Sequence, residues 1–263
     1  MPEQREASSA VALEQTADTP LVEITHATVC RGDNRVFDDF SLTLSQHESV
    51  AILGPNGAGK TTMMDVITGK VRPDTGDVFY HNQSINLALL DESEIAQLGI
   101  GRKFQKPTVF EKQSVSDNLY LALKANRGTW ATLSFKPSRT QQELVEQVLE
   151  RIRLIERQND PAGSLSHGQK QWLEIGMLLV QDAQLLLVDE PAAGMTDAET
   201  EQTAELLQEI SGSKSVMVVE HDMEFVKALD CKVSVLHEGS VLAEGTHSEV
   251  QSNATVIEVY LGR

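Results

Sequence analysis

The fold of this chain is decided by a nine-residue stretch, Gly54-Pro55-Asn56-Gly57-Ala58-Gly59-Lys60-Thr61-Thr62. It fits the pattern G-x-x-x-x-G-K-[ST] of a phosphate-binding loop. Apolar residues 49–53 precede it and helix-like residues 62–67 follow it, which is the strand–loop–helix context that the motif needs. The glycines let backbone N–H groups curl around phosphate oxygens, and the helix presents its positive end to the anion. The stretch, called the phosphate loop below, predicts a nucleoside triphosphate site; a glycine-rich turn that binds nothing is the alternative.

Two side chains of the phosphate loop carry chemistry of their own. Lys60 is expected to reach the β- and γ-phosphates, and the Thr61 hydroxyl is expected to ligate Mg²⁺. A second pattern, Leu185-Leu186-Leu187-Val188-Asp189-Glu190, is a continuous apolar strand followed by two acids. At the carboxyl end of such a strand, Asp189 can hold the Mg²⁺ shell and Glu190 can accept a proton from an attacking water. Beside the phosphate loop, this pattern favours hydrolysis over an acid that caps a turn.

The bulk composition limits the possible partners. The 263-residue chain has a formal net charge of −17 and two cysteines, Cys30 and Cys231, outside any metal-type pair. The acidity argues against nucleic acid as the main partner, because a phosphate backbone attracts Lys- and Arg-rich surfaces. Residues 1–20 are polar, lack the apolar core of a secretory signal and are expected to form a disordered tail. No apolar run approaches the roughly 20 residues that span a bilayer.

The pattern along the chain predicts an α/β protein with a mostly parallel sheet. Residues 21–29 and 40–44 alternate like paired strands, which predicts an antiparallel β part at the N-terminus. From 105 to 182 the apolar spacing becomes helical, which indicates an inserted α-helical part, the helical block. Buried strands at 185–188 and 215–220 then resume the sheet, and a hairpin around Glu238-Gly239 closes it. We predict helices at 116–124, 141–155, 168–180 and 197–210, and short strands at 78–80 and 101–104.

A third motif names a family. The segment Leu165-Ser166-His167-Gly168-Gln169, the signature segment below, resembles the L-S-G-G-Q signature of ABC ATPases, with His167 in place of the first glycine. The resemblance covers nearly the whole chain from about Leu21. It implies the RecA-like phosphate-loop NTPase fold, ATP and Mg²⁺ as ligands, and two ATPase subunits arranged head to tail. Each ATP would then lie between the phosphate loop of one subunit and Ser166, His167, Gly168 and Gln169 of the other.

The resemblance assigns roles to further positions. Gln105 matches the glutamine hinge, which approaches Mg²⁺ and the attacking water, and His221 matches the switch histidine, which orients that water. Residues 191–196, the crossing loop, match the loop that passes between subunits, but Thr196 stands where the family has an aspartate. Arg31 stands where an aromatic residue stacks on adenine; a guanidinium can also stack on a π face. Phe37 could compensate, although a core role suits it better.

Several stretches indicate which members the chain is most like. Residues 167–177, 190–196, 219–225 and 256–262 resemble ATP-binding subunits of branched-chain amino acid and urea importers, and the first two are most like the urea-import subunit. Such a protein works peripherally at the cytoplasmic face of the bacterial inner membrane. Its partners are transmembrane permease subunits, a second ATP-binding subunit, either identical or different, and an extracytoplasmic solute-binding protein. Residues 105–119 would form part of the permease groove, although core packing explains Val109, Phe110 and Val115 equally well.

The resemblance also divides the chain. Residues 1–20 form a tail and 21–263 one ABC ATPase domain, in which 21–104 and 183–263 make the catalytic core and 105–182 the helical block. Three alternatives remain open. A soluble ABC ATPase of translation or repair would usually show two cassettes, sustained heptads or a basic patch. A regulatory nucleotide-binding module without catalysis is disfavoured by Lys60, Asp189, Glu190 and His221. A different cargo, or export, fits the sequence as well.

Overall fold

The computed structural model describes residues 19–105, 108–123 and 137–261. Apart from its last two residues, the predicted N-terminal tail lies outside the described residues. The described chain forms two β-sheets with helices packed around them. No helix in these three ranges has both the length and the apolar character needed to cross a membrane.

The smaller sheet is antiparallel, as the N-terminal pattern predicted. It contains four strands in the order β2-β1-β4-β5: β1 Pro20–Arg31, β2 Asn34–Ser45, β4 Thr75–Tyr80 and β5 Ile85–Asn86. The first hairpin is longer than predicted because pairing continues to its tip, where Arg31 faces Asn34. Gly32 makes that tip possible, since it adopts a φ of 62° in the turn. On the inner face, the rings of Phe37 and Phe40 stack 4.4 Å apart.

The larger sheet holds the strands that position the site. It contains six strands in the order β10-β9-β3-β8-β7-β6: β3 Ser49–Leu53, β6 Ile100–Lys103, β7 Leu185–Asp189, β8 Ser215–Val219, β9 Lys232–His237 and β10 Ser240–Gly245. All neighbours are parallel except the predicted hairpin of β9 and β10. Because β3, β7 and β8 run in the same direction, their carboxyl ends meet at one edge. The phosphate loop, Asp189-Glu190 and Glu220-His221 therefore emerge side by side.

Helices surround both sheets. They are α1 Lys60–Ile67, α2 Glu92–Gln97, α3 Val115–Ala122, α4 Arg139–Arg151, α5 His167–Val180, α6 Asp197–Ser211, α7 Met223–Leu229, α8 His247–Ser252 and α9 Ala254–Leu261. Several differ from the predictions. Helices α2, α7, α8 and α9 were not predicted, and α4 ends at Arg151, before the predicted residue 155. Arg153 ends that helical path with a φ of 60°, and a separate 3₁₀ turn, Ile155–Arg157, follows.

Strand β7 shows how the two halves of the molecule share a core. Leu186 and Val188 join the apolar cluster of the helical block, whereas Leu185 and Leu187 join the cluster below the phosphate loop. All four are fully buried, as predicted for a strand covered on both faces. The acids that end β7 are thus anchored from both sides, in the mostly parallel α/β architecture that the sequence predicted.

Candidate active site

The phosphate loop joins β3 to α1 as predicted, and its backbone depends on glycine. Gly57 and Gly59 adopt φ values of 86° and 104°, in the left-handed region that side chains avoid. Gly59 is also the residue before the first turn of α1, and a Cβ there would collide with the ring of Phe37. Phe37 is 1% exposed, so it supports the loop from the core. This is the core role that the sequence analysis favoured for Phe37.

Lys60 is held by the loop that it belongs to. Its ammonium group donates hydrogen bonds to the carbonyl oxygens of Gly54, at 2.5 Å, and Pro55, at 3.1 Å. Burial lowers the pKa of this amine, while the charges of Glu190 and Asp189 act in the opposite direction. The half-buried amine thus lies among loop carbonyls close to the two acids, at the place where the motif puts phosphate oxygens.

The two acids follow β7, and the predicted partners of Glu190 lie next to it. The backbone N–H of Glu190 donates to the carbonyl of Val219 on β8, at 2.9 Å, and its φ of 44° lies in the left-handed region. The side-chain amide of Gln105 contacts the Glu190 carboxylate. The Nδ1 atom of His221 is 4.0 Å from a Glu190 carboxylate oxygen. The fold thereby brings together Gln105, Glu190 and His221, from three separate stretches of the sequence.

Of these three groups, Glu190 lines a cavity of about 260 Å³ beside the phosphate loop. Its lining combines Lys60 and Thr61 of the loop with Asp189 and Glu190. Mg²⁺ prefers oxygen ligands and keeps waters and substrate phosphates in its shell, so one hydroxyl and one carboxylate suit it. Among the described residues no group of three or more His, Cys, Asp or Glu side chains could hold a metal alone.

A buried ion-pair network that the sequence analysis missed supports Asp189. Arg102 on β6 donates to Asp65 on α1, at 2.7 Å, and to Asp189, at 3.3 Å. Asp65 also binds Arg31, at 2.7 Å, and lies 3.6 Å from the Lys70 ammonium. Burial alone would raise the pKa of Asp65, but the hydrogen bonds from Arg102 and Arg31 outweigh it and lower the pKa.

The same network gives Arg31 a definite partner. Its guanidinium lies against Asp65, and its side chain is 50% exposed. Adenine stacking by Arg31 stays a prediction. The positive charge of Arg31 at the end of β1 could have indicated an acidic partner, but nothing in the local sequence identified Asp65.

The signature segment lies apart from this cavity, none of whose lining residues comes from 165–169. Ser166 caps α5 by accepting from the Gln169 backbone N–H, at 3.2 Å, and it donates to Glu199 on α6, at 2.6 Å. His167 is exposed, and its Nε2 lies 2.9 Å from the Gln171 amide nitrogen. At Gly168 a Cβ would come within 2.9 Å of the Glu199 carboxylate. Sequence reasoning did not single out Glu199, although a T-x-x-E capping box is legible at Thr196.

A second cavity, of about 310 Å³, lies between the end of β6 and α5. Glu174 on α5 forms one wall and accepts hydrogen bonds from the backbone and hydroxyl of Thr108, at 2.6 and 2.8 Å. Burial raises the pKa of this carboxyl.

Of the three apolar residues proposed for a permease surface, Val115 is fully buried and Val109 packs against the core, so core packing explains them. Phe110 is 54% exposed and remains a surface candidate.

Comparison with known families agrees with this geometry. A family described as "ABC transporter" matches residues 37–193, and one described as "Branched-chain amino acid ATP-binding cassette transporter" matches residues 240–263. The high-affinity branched-chain amino acid transport ATP-binding protein LivG of Escherichia coli is 33% identical over 92% of this chain and 98% of its own length. The corresponding protein BraF of Pseudomonas aeruginosa is 32% identical over the same shares. The lipopolysaccharide export ATP-binding protein LptB of Acidithiobacillus ferridurans is 32% identical over 86% of this chain and 90% of its own length.

Solved structures show the same likeness. The ADP conformation of MJ1267, an ATP-binding cassette of an ABC transporter, has a TM-score of 0.78 and 26% identity, covering 93% of this chain and 99% of that one. A nucleotide-free ATP-binding cassette from an ABC transporter has a TM-score of 0.79 and 25% identity, covering 93% and 100%. The similarity therefore includes both the sheet and the helical block.

Proposed function

Because the chain belongs to the ABC transporter family of ATP-binding cassettes, we propose that it is the ATP-hydrolysing subunit of an importer for a small solute. The observation that carries this proposal is the grouping of Gln105, Glu190 and His221 beside the phosphate loop. A cassette that only bound nucleotide would have no need of an acid, an amide and an imidazole grouped beside the phosphate loop. The family is one of ATPases, and the arrangement fits that activity.

In the proposed reaction, the described side chains have separate tasks. Lys60 leaves the carbonyls of its own loop and binds the β- and γ-phosphates, together with the loop N–H groups. Thr61 and Asp189 would hold Mg²⁺, with Gln105 close to it; the ion neutralises phosphate charge when it is bound. Glu190 takes the proton of the attacking water, and Gln105 and His221 orient that water.

The other half of the site would come from a second subunit. Because Ser166, His167, Gly168 and Gln169 lie away from the chain's own cavity, we propose that they contact the ATP bound to a partner cassette, which is identical or related. An isolated subunit would then bind ATP but hydrolyse it slowly. Transmembrane permeases would dock near the exposed Phe110 and would hold the chain at the cytoplasmic face of the cell membrane.

The transported solute is the most specific part of the proposal. The named relatives favour branched-chain amino acids, whereas the likeness of residues 167–177 and 190–196 to the urea-import subunit favours urea. We propose import of urea or of branched-chain amino acids, delivered by an extracytoplasmic binding protein. LptB shows that a cassette of similar identity can serve export of a different cargo. Uptake of labelled urea and labelled leucine by cells lacking this chain distinguishes the two: the cargo is the one whose uptake is lost.

The Glu190→Gln variant tests the catalytic assignment. It should bind ATP as the parent does and release no phosphate above background, since an amide cannot act as the general base. The control is Glu146→Gln on an exposed part of α4, which should leave turnover unchanged. Phosphate release and the binding of a fluorescent ATP analogue measure the two properties separately. Parent-like turnover in Glu190→Gln would reject the role of this carboxylate.

A further inference from the structure

The Ser166 hydroxyl both donates and accepts a hydrogen bond within its own subunit. Its oxygen accepts the backbone N–H of Gln169, at 3.2 Å, which caps α5. Its proton is donated to the Glu199 carboxylate, at 2.6 Å. A serine hydroxyl has one proton to donate. Ser166 therefore cannot donate to a phosphate until its hydrogen bond to Glu199 breaks.

Glu199 also holds the crossing loop. Its second carboxylate oxygen accepts from the backbone N–H of Thr196, at 3.1 Å, and from the Thr196 hydroxyl, at 3.0 Å. The Glu199 N–H in turn donates to that hydroxyl, at 3.3 Å. One carboxylate thus joins the last residue of the crossing loop to the signature segment. Hydrogen bonding from Ser166, followed by that from Thr196, lowers the pKa of Glu199, so the group is charged at neutral pH.

The Glu199 carboxylate lies directly against the signature segment. It lies over Gly168, where even a Cβ would come within 2.9 Å of it. One turn further along α6, the Thr203 hydroxyl donates to the Glu199 carbonyl, at 2.7 Å, and accepts from the Trp172 indole of α5, at 2.8 Å. The start of α6 and the signature segment are therefore joined at two levels.

A second capping box isolates what is special about Glu199. At the start of α8, Glu249 accepts from the Thr246 backbone and hydroxyl, at 2.8 and 2.9 Å, and its own N–H donates to that hydroxyl, at 3.3 Å. This is the same local geometry as at Thr196 and Glu199. The bond from a signature serine is the feature that Glu199 has in addition.

We propose that Glu199 is a positioning residue that competes with the partner subunit's ATP for the Ser166 hydroxyl. The inference depends on the proposed function, since it requires Ser166 to meet a nucleotide of another subunit. When the γ-phosphate arrives, the Ser166 proton turns from the carboxylate to a phosphate oxygen, and Glu199 stays bound to Thr196. The competition sets how much ATP is needed to close the pair of cassettes and links closure to the crossing loop.

The experiment compares ATP-driven dimerisation in a chain that cannot hydrolyse. The parent is Glu190→Gln, followed by analytical ultracentrifugation over a range of ATP concentrations. Adding Glu199→Gln removes the charge but keeps the shape. Hydrogen bonds to charged groups are roughly twice as strong as neutral ones, so the ATP concentration for half-maximal dimerisation should fall by about three- to tenfold. Glu249→Gln, which disturbs the matched capping box, should leave that concentration unchanged.

A merely structural role for Glu199 gives the opposite result, because a weakened helix start would raise the ATP requirement. An unchanged or raised requirement in Glu199→Gln overturns the proposal. In a Ser166→Ala background, Glu199→Gln should no longer shift dimerisation; a persistent shift also overturns it. If the Glu190→Gln parent binds ATP but forms no dimer at any ATP concentration, the composite site of the proposed function fails, which is distinct from failure of Glu199 alone.

Discussion

The phosphate-loop end and the signature end of this chain satisfy their polar groups in opposite ways. At the first, an amine, a hydroxyl and two acids lie around one cavity, supported by the buried pair of Asp65 and Arg102. At the second, Ser166 and His167 are exposed, and the charged group that Ser166 contacts is the acid Glu199. An ATP molecule is anionic, so we expect the first end, with its lysine and loop N–H groups, to bind it without the second.

In the proposed pair of subunits, this contrast gives the two ends separate tasks. The phosphate-loop end supplies cationic and metal-binding groups, whereas the signature end supplies hydroxyl and backbone N–H donors next to a negative charge. We therefore expect the second end to improve a site that already holds nucleotide and Mg²⁺ rather than to recruit nucleotide itself. Substitutions at the two ends should therefore change different measured quantities.

The largest effect is expected at Lys60. In Lys60→Ala, affinity for ATP should fall by about 10- to 100-fold, because a hydrogen bond to a charged group contributes about 1.5–3 kcal/mol. Equilibrium titration with a fluorescent ATP analogue measures it. Lys214→Ala removes a lysine that pairs with Asp182 on the surface, 2.7 Å away, and should leave affinity unchanged. Equal affinity for ATP in Lys60→Ala and Lys214→Ala would contradict the claim that the phosphate-loop end is the one that binds nucleotide.

A smaller effect, on turnover alone, is expected at Ser166. Ser166→Ala should keep the ATP affinity of the isolated chain and lower ATP turnover by about tenfold, the loss of one donor to a charged phosphate. Ser138→Ala is the matched control, because Ser138 caps α4 with a similar box, closed by Gln141. Both variants should lose about 1 kcal/mol of stability, and the control should keep its turnover. Weakened binding of ATP to isolated Ser166→Ala would mean that the signature end acts within one subunit.

The smallest functional effect, with a clear effect on stability, is expected at Asp65. Its side chain is 3% exposed and its pKa is lowered, so its contribution is present above about pH 4 and is lost as pH falls through the lowered pKa. Asp65→Asn should lower the free energy of unfolding by about 3 kcal/mol at pH 7. Urea unfolding should show this difference shrinking below pH 4. Asp38→Asn breaks an exposed pair with Arg35 and should cost less than about 1 kcal/mol; a similar cost in both variants would contradict a buried network.

The sheet and the phosphate loop could be predicted because their signals are local. A buried strand shows as a run such as residues 185–188, and the loop shows as a fixed pattern of glycines. Helices α2, α7, α8 and α9 were missed because segments of six to eight residues contain too little periodicity to recognise. The end of α4 was placed late because apolar spacing continues past Arg151, while the backbone turns away at Arg153.

The site residues also divide into those that a local motif identifies and those that it does not. Lys60, Asp189 and Glu190 stand inside motifs, and the structure places them around one cavity. The roles of Gln105 and His221 stay predictions, although both lie against Glu190. Asp65 and Arg102 escaped notice because they pair across two elements that are distant in sequence. Thr196, noted as a departure from the family, caps α6, and this role could be read from its spacing to Glu199.

The hydrogen bond between Trp172 and Thr203 has a practical consequence for spectroscopy. The chain has two tryptophans, Trp130 and Trp172, and Trp130 lies outside the described residues. The Trp172 indole is 5% exposed and spans α5 and α6 at the level just below Ser166 and Glu199. Its emission therefore depends on the contact between these two helices. In a Trp130→Phe variant, the intrinsic emission of Trp172 can therefore be followed over time, without a label, as the signature end responds to added nucleotide.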